Sequence, residues 1–145
     1  MDLVLLEPVN YYKRLKIDGD AYYVSFTREF EDIAIALKPR KIFDAISTLI
    51  GVETNLEYIE RIDPFNLSSL FERLYDENIY NTNLILDSIT SLEFYHSDEE
   101  IIEFVKSLDS FAKKHSSKLI VLAFTKDNLY FKVKGLSDAP LSFNG

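Results

Sequence analysis

Residues 81–92 read NTNLILDSITSL, and the fold turns on how they are read. Leu84, Ile85 and Leu86 form an unbroken apolar run ending on Asp87 and Ser88. Such a run marks a strand covered on both faces, as in a parallel sheet between two layers of helices. A second run of this kind, KLIVLAFT, occupies 118–125. Between them, residues 96–115 read HSDEEIIEFVKSLDSFAKKH, with Ile101, Ile102, Val105, Leu108, Phe111 and Ala112 on one helical stripe. Ser97 and Glu100 have the spacing of a capping box. Asp98 and Glu99 stand at the positive end of that helix, and Lys113, Lys114 and His115 at the negative end. Strand, helix and strand in this order predict a parallel crossover unit.

The same pattern extends toward the N-terminus. DLVLLE (2–7), stopped by Pro8, and DAYYVSF (20–26), after the Asp18-Gly19 turn, read as strands. TREFEDIAIALK (27–38) reads as a helix with Phe30, Ile33, Ala34 and Leu37 inward, ended by Pro39. RKIFDAISTLI (40–50) reads as a further helix stopped by Gly51, and NLEYIERI (55–62) as a short strand. DPFNLSSLFERLYDENI (63–79) reads as a helix with Leu67, Leu70, Phe71 and Leu74 on its core face. After the Lys126-Asp127-Asn128 turn, LYFKVK (129–134) alternates and reads as a C-terminal antiparallel strand. The expected architecture is α/β: one domain over 1–145, a three-layer sandwich around a mostly parallel sheet.

Composition narrows the function. At 145 residues and 47% apolar content, the chain can close a single core. No apolar run approaches the roughly 20 residues that span a bilayer, and the opening MDLVLLEPVNYYKR lacks the basic start of a signal peptide. Cysteine is absent, which excludes disulfides and cysteine-based zinc or thiolate chemistry. A cytoplasmic location is expected. The net charge of −8 divides into −1 over 1–52, −11 over 53–103 and +4 over 104–145. The acidic middle would repel a phosphate backbone, so nucleic acid is not an expected partner.

Few residues have the pattern of a reactive site. His96 and His115 are far apart with no carboxylate at ligand spacing, so no metal is expected. Ser88 lacks a nucleophile elbow. Asp98, Glu99, Glu100 and Glu103 read as charge at a helix start. Asp87 reads first as a structural residue bonding backbone amides at a strand end.

The order of elements from Asp20 to Thr125 resembles the core of the RecA-fold ATPases, in particular their KaiC-like branch common in archaea. AYYVSFTREFEDIAIAL resembles the second strand and helix of that family, and IERIDPFNLSSLFERL its helix leading into the Walker B strand. NLILDSITSL resembles the Walker B strand with its trailing Asp-Ser. The resemblance implies a magnesium-side position for Asp87, followed by Ser88. It also implies a Walker A loop, and that is missing. The four glycines are Gly19, Gly51, Gly135 and Gly145, none followed by lysine, and EPVNYYKRL stands where the loop would follow the first strand. Thr27 and Arg28 occupy the positions of the catalytic glutamates, with Glu29 one step late.

These departures imply a pseudo-ATPase with no cofactor and no catalytic residue. It would work through contact with another protein, as a regulatory or accessory subunit beside an active paralogue or a second copy of itself. The alternative is a nucleotide or small-ligand sensor that binds without hydrolysis at the remnant crevice. Tyr11 and Tyr12 are expected to plug the former phosphate site, rings over the strand ends; the competing reading leaves both on the outer surface of a loop.

Overall fold

Residues 1–47 and 57–136 are described by a computed structural model. Six strands form one sheet: β1 (Asp2–Leu5), β2 (Ala21–Ser25), β3 (Lys41–Asp44), β4 (Ile59–Arg61), β5 (Asn83–Asp87) and β6 (Lys118–Ala123). Their order is β1-β6-β5-β2-β3-β4, and every pairing is parallel. Six helices are described: α1 (Tyr11–Arg14), α2 (Phe30–Leu37), α3 (Leu67–Asp76), α4 (Ile89–Leu92), α5 (Asp98–Lys114) and α6 (Asn128–Lys134).

Alternation along each strand divides the core in two. Val24, Phe43, Leu84, Leu86, Leu119 and Val121 point to one face and pack with buried residues of α3, α5 and α6. Tyr23, Ile42, Ile85, Ile120 and Leu122 point to the other and pack with Tyr11, Tyr12, Phe30 and Ile33 from α1 and α2. This is the expected three-layer α/β arrangement. The apolar runs of β5 and β6 follow from it, since both faces are covered.

Two elements differ from the sequence reading. KIFD is strand β3, not the start of a helix. Ile42 and Phe43 are both fully buried but in opposite layers, which a short two-faced strand satisfies and a helix stripe does not. A helical turn begins only at Ile46, where Asp44 Oδ1 accepts from the amides of Ile46 at 2.8 Å and Ser47 at 3.0 Å. The rest of that expected helix, its Gly51 stop and the first residues of NLEYIERI lie outside the described residues.

LYFKVK is likewise not an antiparallel strand; it lies in helix α6. Asp127 serves as its cap, accepting from the Tyr130 amide at 3.0 Å. Leu129, Tyr130 and Val133 are buried, a helical spacing that places them on one side. The apparent alternation came from Phe131, which is 56% exposed. The described sheet is therefore wholly parallel.

Caps set the long helices. Asn66 Oδ1 accepts from the Ser69 amide at the start of α3. Ser97 and Glu100 form the full reciprocal capping box of α5, with Ser97 N donating to Glu100 Oε1 at 3.0 Å. Ser97→Ala should lower the unfolding free energy by about 1 kcal/mol, measured by urea denaturation. No loss would mean that Glu100 alone supports the helix start. At the opposite edge of the sheet, Lys41 reaches Glu60 at 3.0 Å and Glu77 at 2.9 Å, and Arg73 joins both carboxylates. That network ties β3 and β4 to α3 and holds the Glu60 carboxyl below its ordinary range, chiefly through Arg73.

Candidate functional site

In a parallel α/β sheet, crevices form at the carboxyl ends of the strands. Here that edge is unusually polar. Parallel register sets Ser25 level with Asp44 on one side and Asp87 on the other. In-register residues of parallel strands share a face. All three belong to the same alternating set as Tyr23, Ile42 and Ile85, so they face the layer of α1 and α2. All three are fully buried, as is Ser88.

Asp87 lies at the centre. Its Oδ2 accepts a hydrogen bond from the Tyr23 hydroxyl at 2.6 Å and another from the Tyr11 hydroxyl. Its Oδ1 is buried with no hydrogen-bond partner among the described residues. The donors are thus two phenols rather than the backbone amides that the sequence suggested. Burial raises the Asp87 carboxyl to about 6, while the bonds from Tyr11 and Tyr23, the nearby Thr27 hydroxyl and the Arg28 charge pull it back down. Tyr11 and Tyr23 are pushed upward by burial and by the Asp87 charge, so both remain neutral donors.

Tyr11 reaches Asp87 because the link between β1 and α1 turns back over the sheet edge. Asn10 takes a left-handed conformation, φ 52°, and starts the short helix α1. The Tyr11 ring is only 1% exposed. It meets Phe124, the residue after β6, edge-on with centroids 4.8 Å apart. Tyr12 packs edge-on against Tyr11 at 5.6 Å and is also buried. The Arg28 guanidinium lies 4.8 Å from the Tyr12 ring centroid and pairs with Asp32 at 2.6 Å. Neither tyrosine lies on an outer loop surface.

Around this centre stands a ring of hydroxyls. Thr27 Oγ1 lies 2.8 Å from Ser91 Oγ and 3.2 Å from Ser88 Oγ. Ser88 caps α4 by accepting from the Ser91 amide at 3.1 Å. Glu29 has one buried carboxylate oxygen without a partner among the described residues, and burial raises its carboxyl. The arrangement can hold a proton on a buried carboxylate and can bind polar groups through hydroxyls.

The other candidates have structural partners. His96 Nε2 lies 2.8 Å from the Pro64 carbonyl, and His115 Nδ1 lies 3.0 Å from the Ile79 carbonyl. Asp98 pairs with Lys132 at 3.5 Å, and Glu103 with Lys106 at 3.8 Å. Among the described residues no group of three or more His, Cys, Asp or Glu side chains is placed to hold a metal, and no helix is long and apolar enough to cross a membrane.

Tyr23 is the site residue that sequence reasoning missed. Its signal was its parity: once β2 and β5 are aligned, Tyr23 pairs with Ile85, two residues before Asp87 on the same face. Compared with models of known protein families the chain matches none, and no curated protein matches it.

Proposed function

We propose that this chain is a non-catalytic KaiC/RecA-like domain that acts in the cytoplasm through protein contacts, as a regulatory or accessory subunit. The observation that carries the reading is the state of Asp87. At the magnesium-side position of the resemblance stands a fully buried carboxylate whose Oδ2 is taken by two tyrosine hydroxyls. A magnesium ion needs near-octahedral oxygen ligation with room for its waters, whereas Asp87 is fully buried and its Oδ2 already accepts from the Tyr11 and Tyr23 hydroxyls. The residues present do not fit a magnesium–nucleotide complex.

The phosphate side supports the same reading. Leu6 to Asn10 link β1 to α1 without a glycine, Pro8 has no amide proton, and α1 spans only four residues. The acidic stretch of 53–103 disfavours nucleic acid as the partner.

ATP hydrolysis by the purified protein is expected to stay at background, with no magnesium-dependent ATP binding by calorimetry at micromolar concentrations. Asp87→Asn is expected to leave that background unchanged. Hydrolysis above background that Asp87→Asn abolishes would overturn the proposal.

A second reading, ligand binding without turnover, is favoured by two buried oxygens that have no partner among the described residues, Asp87 Oδ1 and Glu29 Oε2. Ligands that supply donors to them would raise the melting temperature in a thermal-shift screen. A nucleotide doing so in the absence of hydrolysis would move the assignment to a sensor.

A further inference from the structure

Three links meet at the carboxyl end of the sheet, on the side of α3, α5 and α6. They are residues 62–66 after β4, 93–97 after α4 and 124–127 after β6. The Phe65 ring meets Tyr95 edge-on with centroids 5.2 Å apart, and His96 Nε2 lies 2.8 Å from the Pro64 carbonyl, so the first two links form one surface. Helix α6, which starts after Asp127, joins it through the Lys132–Asp98 pair. In the turn after α4, Leu92 is fully buried and Tyr95 packs against the core, while Glu93 and Phe94 are left outward. Phe94 is 83% exposed, more than any other large apolar side chain among the described residues, and Phe65 is 61% exposed. Outward aromatic rings held together at one place mark a contact surface.

The rim of this surface is acidic. Asp63, Glu93, Asp98, Glu99, Glu100 and Asp127 stand on its links and at the start of α5, against Lys126 and Lys132. Lys132 is taken by Asp98, and among the described residues no lysine or arginine pairs with Glu93, Glu99 or Asp127. Glu93 lies within hydrogen-bonding range of Asp127. Burial, then that contact and the charges of Asp127 and Asp98, push its carboxyl up to about 7. Carboxylates crowded in this way are relieved by a cation arriving from outside, and a cationic side chain also binds the face of an exposed phenyl ring. Nucleic acid and anionic bilayer surfaces carry the same sign as the rim and would be repelled.

We infer that this end of the molecule is a docking surface for a basic, partly apolar segment of another protein. Arginine or lysine side chains of that segment would lie over Phe65 and Phe94 and against the carboxylates of Glu93, Glu99 and Asp127. The inference rests on the contact role proposed above and gives the partner its chemistry. Aromatic anchors supply most of the affinity at such a contact, and the charges around them supply steering and selectivity.

The probe is a fluorescein-labelled peptide of alternating arginine and leucine, followed by fluorescence anisotropy with the full chain. Binding at micromolar concentrations that weakens with salt is expected. Phe65→Ser with Phe94→Ser should bind at least about tenfold more weakly, and Glu93→Gln with Glu99→Gln should be weaker with a shallower salt dependence. Glu7→Gln with Glu31→Gln removes the same charge from the side of α1 and α2 and should change little. All six positions are exposed, so each variant should keep the circular dichroism of the wild type. A peptide of alternating arginine and serine should bind less well than the arginine–leucine peptide.

Absence of binding overturns the inference. So does equal binding of the two peptides, or equal loss in the two glutamine pairs, since either would reduce the effect to net charge. Stronger binding to phosphatidylserine vesicles, or a wild-type dimer in sedimentation that Phe65→Ser with Phe94→Ser abolishes, would give the surface to a membrane or to a second copy and overturn it as well. Nucleotide assays on the same samples keep the two proposals apart. Hydrolysis would overturn the pseudo-ATPase reading with peptide binding intact, and a protein that binds neither peptide would leave that reading standing.

Discussion

Tyr11→Ala should lower the melting temperature by roughly 10 °C or more. The ring is almost wholly buried and packs against Phe124 and Tyr12. Truncating a buried aromatic residue costs about 3–5 kcal/mol, and for a chain of this size each kcal/mol is worth about 2–4 °C. Asp87 would also lose one of its two phenolic donors. Tyr11→Phe separates the two contributions, because it keeps the ring and removes only the hydroxyl. Its expected cost is about 1–3 kcal/mol, the penalty for depriving a buried acceptor of its partner. Thermal melts followed by circular dichroism suffice. A shift of only a degree or two for Tyr11→Ala would mean that the ring is not part of the cooperative core.

Asp87→Asn should act in the opposite direction and stabilise the protein at neutral pH. A carboxyl raised from 3.8 to about 6 on folding holds its proton more tightly in the folded chain. Between pH 4 and pH 6 the unfolded chain has released that proton and the folded chain has not. Stability from this group is therefore greatest below pH 4, falls as pH rises through about 6, and stays low above it. The full difference is about 3 kcal/mol. Asparagine carries no charge to desolvate and can still accept from both tyrosines, although its amide protons need partners of their own. A gain of about 1–2 kcal/mol at pH 7.5 is expected, vanishing toward pH 4. Urea denaturation of both proteins across this range gives the difference curve, which removes the contributions of other titrating groups. A variant less stable than wild type at pH 7.5 would show that the negative charge is satisfied in the folded state.

Function and stability make different demands on the same residue, so a buried carboxylate that weakens the fold stands out. Asp87 could be found in the sequence for that reason. A carboxylate directly after Leu84-Ile85-Leu86 contradicts the pattern around it, and contradictions of pattern concentrate at sites. Tyr11 was visible by a similar route, as a bulky residue in a link where the resemblance calls for glycine. Tyr23 was not, since Tyr22 and Tyr23 are chemically identical neighbours and only strand register decides which one faces Asp87. The same limit applied to Lys41–Asp44. A four-residue strand buried on both faces has no period of its own, so the helical spacing of Ile42, Phe43 and Ile46 looked convincing. In α6 the alternation of LYFKVK was the weaker signal and Asp127 the stronger one, because an acceptor side chain before a run of apolar residues favours a helix start.

The place of β1 in the sheet also bears on how the chain acquires its structure. Its only strand partner among the described residues is β6: Asp2 pairs with Ile120 and Leu5 with Ala123. Closing a loop of that length is entropically unfavourable, and the contact cannot form until the distant segment exists. During synthesis at about 5–20 residues per second, β1 would wait roughly 6–25 s for its neighbour. Throughout that interval Tyr11 has neither Phe124 to pack against nor a completed edge to close. The first of the six described strands to be made is among the last to be seated, and the polar centre around Asp87 stays open to water until it is.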